Sequence, residues 1–385
     1  MKYLKFFAIL SNLSNNLVNP FISFVSAYFG MNSEELALVT SATNAIPNIS
    51  QYFLNFIKSR ARLLLFLGTF INGILWIVSA FIPFNWIFLL IYFIITTSIG
   101  VANFGWNLIM DKVSRNNRGS TLSLYMVYAT IGSLIATLIT GLITGNNIEL
   151  IRRFFIISGI MLISSAYLSR KVETDADYDK HKIMGSSNVM RTTSSTTINR
   201  FLGITFLFNL VLAIAWPIFP LAQVYKFHMN DENIAILSIE TSIITILFRK
   251  IVAKLTDTRR KLTMFIGSAI YSIFPLSYAL SDSINDIYIA NLASGFTNAV
   301  GSVTYIAYLF DNSDETTVKR NLAIYNLTVG CGVMTGSIIG GVLYNYVSQF
   351  CNPIYAINLL LLITSILRLS VSSLFLTIKD AVKRN

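Results

Sequence analysis

The sequence predicts an all-α membrane protein, with twelve transmembrane helices in two parallel six-helix repeats. Three observations carry this prediction. Twelve apolar stretches run along the chain, each ~20 residues or longer, enough for a helix to cross ~30 Å of hydrocarbon. Charged residues make up only 12% of the 385 positions, against roughly 25% in soluble domains. The second half also echoes the first at an offset of about 200 positions, as in Pro20 and Pro220. Barrel strands alternate polar and apolar residues, and these runs do not. Helices are the remaining backbone form that satisfies its own hydrogen bonds in lipid.

The first six spans are Leu4–Phe29, Glu35–Ile57, Leu63–Phe84, Trp86–Met110, Thr121–Gly145 and Leu150–Leu168. The second six are Phe201–Tyr225, Ile234–Val252, Leu262–Ala279, Ile287–Phe310, Leu322–Val347 and Ile354–Ile378. Span one follows Lys2 and Lys5, which gives it the look of a signal peptide. Asn12, Asn15 and Asn16 interrupt the apolar run and no small-residue cleavage pattern follows, so it reads as a retained span. The domain division is 1–170, a polar linker over 171–199, and 200–385. The linker carries Glu173, Asp175, Asp177, Asp179 and the run Arg191-Thr-Thr-Ser-Ser-Thr-Thr, with little to bury, as in a mobile cytosolic connection. A phosphorylated or partner-binding segment is the other reading of it.

The net charge of +11 does not point to nucleic acid, because the basic residues collect in alternate connections. These are Lys2 and Lys5; Lys58, Arg60 and Arg62; Lys112, Arg115 and Arg118; Arg170 to Arg200; Lys250 to Lys261; Lys319 and Arg320; and Lys379 to Arg384. The intervening connections hold only Arg152, Arg153 and Lys226. This positive-inside bias places both termini and the central loop in the cytoplasm, for a multi-pass protein of the cytoplasmic membrane. The same loops favour anionic membrane lipid. Cys331 and Cys351 lie ~20 Å or more apart at 1.5 Å per helical residue, too far for a disulfide.

Beyond the prolines, Met31-Asn32-Ser33-Glu34 matches Met229-Asn230-Asp231-Glu232, and Ala37 matches Ala235. Asp111, Leu122, Tyr125, Gly132 and Gly141 match Asp311, Leu322, Tyr325, Gly332 and Gly341. An even number of spans per half makes the repeats parallel, related by an axis along the membrane normal. With this layout and its charged central loop, the chain resembles the major facilitator superfamily of secondary transporters over nearly its full length. That family has a glycine, leucine, aspartate and basic-pair signature between spans two and three, repeated between eight and nine. Here the second copy reads Ala253-Lys254-Leu255-Thr256-Asp257-Thr258-Arg259-Arg260-Lys261, with alanine for the glycine and a shortened spacing. The first keeps Lys58, Arg60 and Arg62 but has Ser59 at the aspartate. Asp257, Arg259 and Arg260 then form either a gating latch at a cytosolic helix end or an ordinary solvated basic loop that sets orientation.

Helix faces against lipid need no amides, yet several spans carry them in stripes. Span one has Asn12, Asn16 and Asn19, with Asn15 beside them; span two has Thr40, Asn44, Asn48 and Gln51. Span seven has Asn209, Trp216 and Gln223, and span ten has Asn291, Ser294, Asn298, Ser302 and Tyr305. An unpaired amide in hydrocarbon costs several kcal/mol, so these stripes face other helices or water. The resemblance implies that spans one, four, seven and ten surround a central cavity, which makes Asn12, Asn16, Asn19, Asn44, Asn48, Trp216, Asn298 and Tyr305 the substrate-binding candidates. Interhelical hydrogen bonding, typically ~0.6 kcal/mol per contact, is the alternative. Trp106 in span four reads as an anchor or packing residue. Pro217 and Pro220 predict a bent span seven.

A charge at mid-bilayer costs ~3 kcal/mol on insertion scales. Glu240 is the one acid well inside a span, ~10 Å from the outer end of span eight at 1.5 Å per residue. Arg249 and Arg368 lie deeper, so no basic partner is level with it. Glu240 is either a protonatable group in a coupling or substrate site, or a neutral hydrogen-bonded acid reached by Lys226. Arg368 reads as a snorkelling residue, because the resemblance puts span twelve on the periphery. Gly332, Gly336 and Gly340 in span eleven, like Gly132 and Gly141 in span five, allow close backbone approach. The resemblance implies that both spans meet the opposite half there, so that Gly336→Leu would jam a sliding contact.

The histidines are His181 and His228, both in loops; neither an intramembrane protease nor a metal centre can be assembled from them, and no cofactor or metal is expected. The resemblance implies a monomeric permease that moves a small organic solute by rocker-switch alternating access, with protons as a candidate coupling ion through Glu240. Efflux of lipophilic compounds, favoured by an aromatic fraction of 13%, and a non-transporting sensor or lipid-handling protein are the alternatives.

Overall fold

A computed structural model of the protein describes residues 2–54, 56, 59–113, 118–145, 147–172, 196–313 and 317–379. The linker over 173–195 and its Arg191 run lie outside the described residues. Every regular element among the described residues is a helix. In chain order these are α1 (Lys2–Asn16), α2 (Ile22–Tyr28), α3 (Ser33–Leu54), α4 (Ala61–Ser79), α5 (Trp86–Val113), α6 (Arg118–Thr144) and α7 (Ile151–Arg170). After the linker come α8 (Thr196–Ile214), α9 (Ile218–Leu221), a π-helical turn (Ala222–Lys226), α10 (Asp231–Ile270), α11 (Ile273–Leu280), α12 (Ile284–Asp311), α13 (Val318–Ser348) and α14 (Pro353–Ser372).

Among the described residues, six helices are long and apolar enough to cross a membrane: Ala61–Ser79, Trp86–Met110, Val127–Thr144, Thr197–Lys226, Arg320–Ser348 and Pro353–Thr377. The other expected spans are broken or polar. Span one divides into α1 and α2 around Pro20, which has no N–H to donate. Asn12 and Asn16 turn inward on their own backbone, donating to the carbonyls of Ala8 (2.9 Å) and Asn12 (2.8 Å). Helix α3 holds Pro47 among its amides, and α7 carries Arg152, Arg153 and Arg170. Spans eight and nine run on as α10 through the expected loop, with a break at Arg259 (φ −143°, ψ 55°). Span nine is interrupted before α11, where Pro275 removes the amide that would bond the Tyr271 carbonyl. Span seven breaks at Trp216-Pro217, as its prolines predict.

The chain forms two compact units. The first comprises Met1–Val25, Ala42–Thr192 and Asn230–Ile236; the second comprises Ser26–Ser41, Thr193–Met229 and Leu237–Asn385. They depart from the sequence division in that Ser26–Ser41 goes with the second unit and Asn230–Ile236 with the first.

In the first unit, Leu4, Phe7, Leu65, Ile109 and Tyr125 form one buried cluster with Trp106 packed on it. Trp106 stacks on Phe7 at 5.6 Å and meets the Tyr125 ring edge-on at 5.8 Å, so it is a packing residue. Trp76, Phe84, Phe88, Tyr92 and Phe155 form a second aromatic group. Helices α4 and α7 approach through Gly73 and Gly159, where an added Cβ on Gly73 would lie 2.7 Å from the Gly159 carbonyl oxygen. In the second unit, Phe201, Phe208, Met264, Tyr305, Tyr308 and Phe375 anchor the core. The outer faces are apolar, with Leu142, Leu247 and Ile289 exposed, the arrangement that suits a lipid solvent.

Both units use the same helix start. Asn32 Oδ1 accepts the Glu35 amide (2.8 Å) while Glu35 Oε2 accepts the Asn32 amide (3.0 Å). Asn230 and Asn233 repeat this reciprocal capping box at 3.0 and 2.9 Å. Two residues before each cap the chain enters the left-handed region, at Gly30 (φ 85°) and at His228 (φ 49°). Glycine carries that conformation freely and histidine at a cost.

Candidate functional site

The polar residues of the membrane segments collect in patches, each belonging to one unit. In the first unit, Asn15 Oδ1 accepts from Asn72 Nδ2 at 3.3 Å, joining α1 to α4. The Asn19 Oδ1 atom is buried without a hydrogen-bond partner among the described residues. Asn48 donates back to the Asn44 carbonyl at 2.7 Å, and Asn44 itself is exposed. Asn12, Asn16 and Asn48 thus spend donors on their own helix.

The second unit holds the denser patch. Asn291 of α12 donates through Nδ2 to Glu240 Oε2 (3.1 Å) and stands within bonding distance of the Leu237 carbonyl (2.8 Å) and Thr241 Oγ1 (3.1 Å) of α10. Thr241 Oγ1 also meets Ser294 Oγ at 2.6 Å. Glu240 is half-buried, and among the described residues its carboxylate is held by an amide rather than by a cation. Lys226 does not reach it: its Nζ donates to the carbonyls of Tyr278 (2.9 Å) and Ala279 (3.1 Å) and to Asn358 Oδ1 (2.9 Å). Two turns further along α12, the exposed Asn298 accepts from the Tyr271 hydroxyl at 3.4 Å. Tyr305 is buried, with its ring 6.5 Å from Phe208 and 5.4 Å from Phe375. Trp216 is half-buried against the same core. Thr241 and Tyr271 were absent from the sequence candidates: hydroxyls at helix spacing are common, and only packing picks out those beside an amide.

Three sequence expectations are corrected by the packing. Arg368 does not snorkel. It is only 1% exposed and donates to the carbonyls of Tyr271 (2.8 Å) and Leu212. Those are two oxygens that the breaks at Pro275 and at Trp216-Pro217 leave without their helical amides, and a guanidinium satisfies both with one planar fork. Secondly, Arg260 of the basic motif does not belong to an ordinary solvated loop. Arg260 is buried and forms an ion pair with Asp311 at the end of α12, with Nε 3.3 Å from the Thr256 carbonyl, whereas Asp257 and Arg259 are exposed.

Thirdly, the glycine run of α13 faces its own half. An added Cβ at Gly332 would lie 2.9 Å from the Phe206 carbonyl oxygen, and at Gly336 and Gly340 it would collide with the carbonyls of Leu210 and Ile214, all on α8. Gly132 likewise sits 2.8 Å, by the same measure, from the Ile9 carbonyl of α1. Contact with the other sequence half falls instead to Gly341 and Ser337. At Gly341 a Cβ would meet the Ser33 carbonyl oxygen at 2.5 Å and Ala37 Cβ at 2.8 Å; Ser337 Oγ donates to the Ala37 carbonyl at 2.8 Å. The counterpart is Gly141 of α6, which abuts Ala235 of α10.

The Major Facilitator Superfamily profile matches residues 5–190 and 201–385. The chain belongs to that family and is a secondary transporter of the membrane-spanning kind. Solved structures similar to it bear the same fold. A mutant of nucleoside transporter NupG superposes with TM-score 0.76 at 14% identity, covering 98% of this chain and 100% of that one. An auto-inhibited POT family peptide transporter gives 0.75 at 9% identity, covering 99% and 98%. A bacterial homologue of the human lysosomal transporter Spinster gives 0.69 at 13% identity, covering 97% and 95%. No curated protein sequence matches the chain.

Proposed function

We propose that this protein is a monomeric, twelve-span permease of the cytoplasmic membrane, with both termini in the cytoplasm, and that it moves a small organic solute by alternating access. The observation that carries the reading is the polar patch of Glu240, Thr241, Asn291 and Ser294 set between apolar helix faces. Such a cluster costs insertion energy, which interhelical hydrogen bonds offset in part and binding of a polar solute or a proton offsets further. Amide and hydroxyl groups dominate it, as they do the stripes of Asn12, Asn16, Asn19, Asn44, Asn48 and Asn298. That chemistry suits a neutral or zwitterionic solute. Similar structures handle nucleosides and peptides, both of which present amides and carbonyls to a site; the half-buried Trp216 would offer a ring face to the apolar part of such a solute, whereas the Tyr305 ring is taken up by the core.

Glu240 is the coupling group in this reading, exchanging a proton as the solute moves. Uptake of labelled nucleosides and dipeptides into proteoliposomes tests it, with and without an imposed proton gradient. The expected outcome is gradient-stimulated uptake by the wild type. Glu240→Gln should lose the stimulation and its pH dependence while still exchanging solute across equal concentrations. Wild-type rate and pH dependence in that variant would remove Glu240 from the mechanism.

A further inference from the structure

The seam between α6 and α10 holds a carboxyl group that neither the capping box nor the polar patch uses. Asp231 is the first residue of α10 and lies just before the expected span eight. It is 0% exposed, and neither of its carboxyl oxygens has a hydrogen bond of ordinary geometry among the described residues. No cation pairs with it among those residues. An ionised carboxylate left so would be costly, because burial penalises charge far more than a neutral polar group.

The internal repeat shows what this position asks for. Ser33 is the equivalent of Asp231, one residue after the same asparagine cap, and Gly341 and Ala37 are the equivalents of Gly141 and Ala235. In the second unit the Ser33 hydroxyl donates to the Gly341 carbonyl at 3.0 Å. In the first unit, Gly141 sees the Asp231 backbone and Ala235 in the same register. A carboxylate has no proton to donate; a carboxylic acid has one and can fill the hydroxyl's role.

We propose that Asp231 is a proton-binding site distinct from Glu240, holding its proton while α6 and α10 are packed along Gly141 and Ala235 and releasing it when that seam parts. The surroundings favour the neutral acid. On α6 the groups beside it are the Thr144 hydroxyl and the Gly141 backbone. Thr144 Oγ1 donates to the Thr140 carbonyl (2.8 Å), which competes with donation to the carboxylate, and Thr140 Oγ1 is buried and unpartnered among the described residues. On α10 itself the neighbouring charge is Glu232, whose side chain lies against Gly145. His228 precedes the cap, and Glu149 is exposed on the turn after α6. The helix N-terminus opposes this by favouring an anion, but the Asn233 amide of that first turn is taken by Asn230. Burial pushes the Asp231 carboxyl up to about 6, with the Thr144 hydroxyl pulling it partly back. An acid raised in the packed form weakens that form as pH climbs from the ordinary carboxylate range to about 6, and no further above it.

This inference rests on the transporter reading only for its consequence, that proton release accompanies opening. Infrared titration of the purified full-length protein tests the site itself. A carboxylic-acid carbonyl band should vanish near pH 6 in the wild type and in Glu240→Gln, and should be missing in Asp231→Asn. Absence of the band from wild type above pH 5, or its survival in Asp231→Asn, overturns the proposal; if Asp231→Asn does not fold, the wild type and Glu240→Gln decide alone. Hydrogen exchange tests the coupling. Protection of 140–145 and 231–236, corrected for intrinsic rates, should drop severalfold from pH 5 to pH 8 in the wild type and stay flat in Asp231→Asn. An equal drop in both overturns it. A protein that shows the band yet moves no solute would keep the proton site and sink the transport reading.

Discussion

Arg368 shows how one residue can be read correctly for position and wrongly for role. Its place in an apolar span made snorkelling the natural expectation, since long basic side chains reach for the interface when they can. The protein instead turns it inward, onto two carbonyls that proline and a turn had stripped of partners. Leaving a buried acceptor unsatisfied costs about 1–3 kcal/mol. Arg368→Leu strands two of them and should lower stability by about 3 kcal/mol or more, seen as an earlier thermal melt of the purified protein. Arg368→Lys keeps the charge but loses the fork, so it should recover only part of that loss. A variant melting with the wild type would show that the two carbonyls find other donors. Glu240 belongs to the same scale: its depth was legible, but its partner Asn291 lies 51 positions away, and no local pattern joins them.

At the scale of elements, glycine spacing predicted close helix contact but not the neighbour. Gly332, Gly336 and Gly340 recur every four residues, so they share one face of α13, and that face lies on α8. The next residue, Gly341, points about 100° around the helix and meets Ser33 and Ala37 instead. The consequence for Gly336→Leu changes accordingly. Its side chain would run into the Leu210 carbonyl inside one bundle, an overpacking that typically costs about 1–3 kcal/mol, occasionally more. Loss of folded protein in detergent is therefore the expected result, read by size-exclusion yield and melting. Gly341→Leu would run into the Ser33 carbonyl and Ala37 and should likewise cost stability. Full yield and stability in Gly336→Leu would contradict the assigned packing. Breaks in the helices follow the same logic. The prolines of span seven announced its kink, whereas the interruption of span nine before Pro275 and the helical run through Ala253–Thr258 were missed, because a basic loop motif and a capped helix end read alike in sequence.

For the whole molecule, the repeat is the organising fact. The matched Asn32 and Asn230 turned out to carry one capping device in two copies, so a weak sequence echo was a structural one. The topology proposed from the basic loops has a direct check. Cysteines placed at each end of a Cys331→Ser, Cys351→Ser chain should both be labelled only from the cytoplasmic side in intact cells. Labelling of the two ends from opposite sides would break the even count of spans.

The class of the molecule was determined by the sequence alone. Apolar length, sparse charge and alternating basic loops are properties of residue order, and lipid permits one kind of answer to them. The repeat and the kink of span seven at Pro217 and Pro220 were legible because residue order alone writes them. Tertiary structure alone decided which carbonyls Arg368 caps, which helix the glycines of α13 touch, and that Asp231 is sealed away while its repeat partner Ser33 finds an acceptor. Each depends on groups far apart in the chain, and the energy of a buried polar atom is set by its neighbours rather than by its own identity.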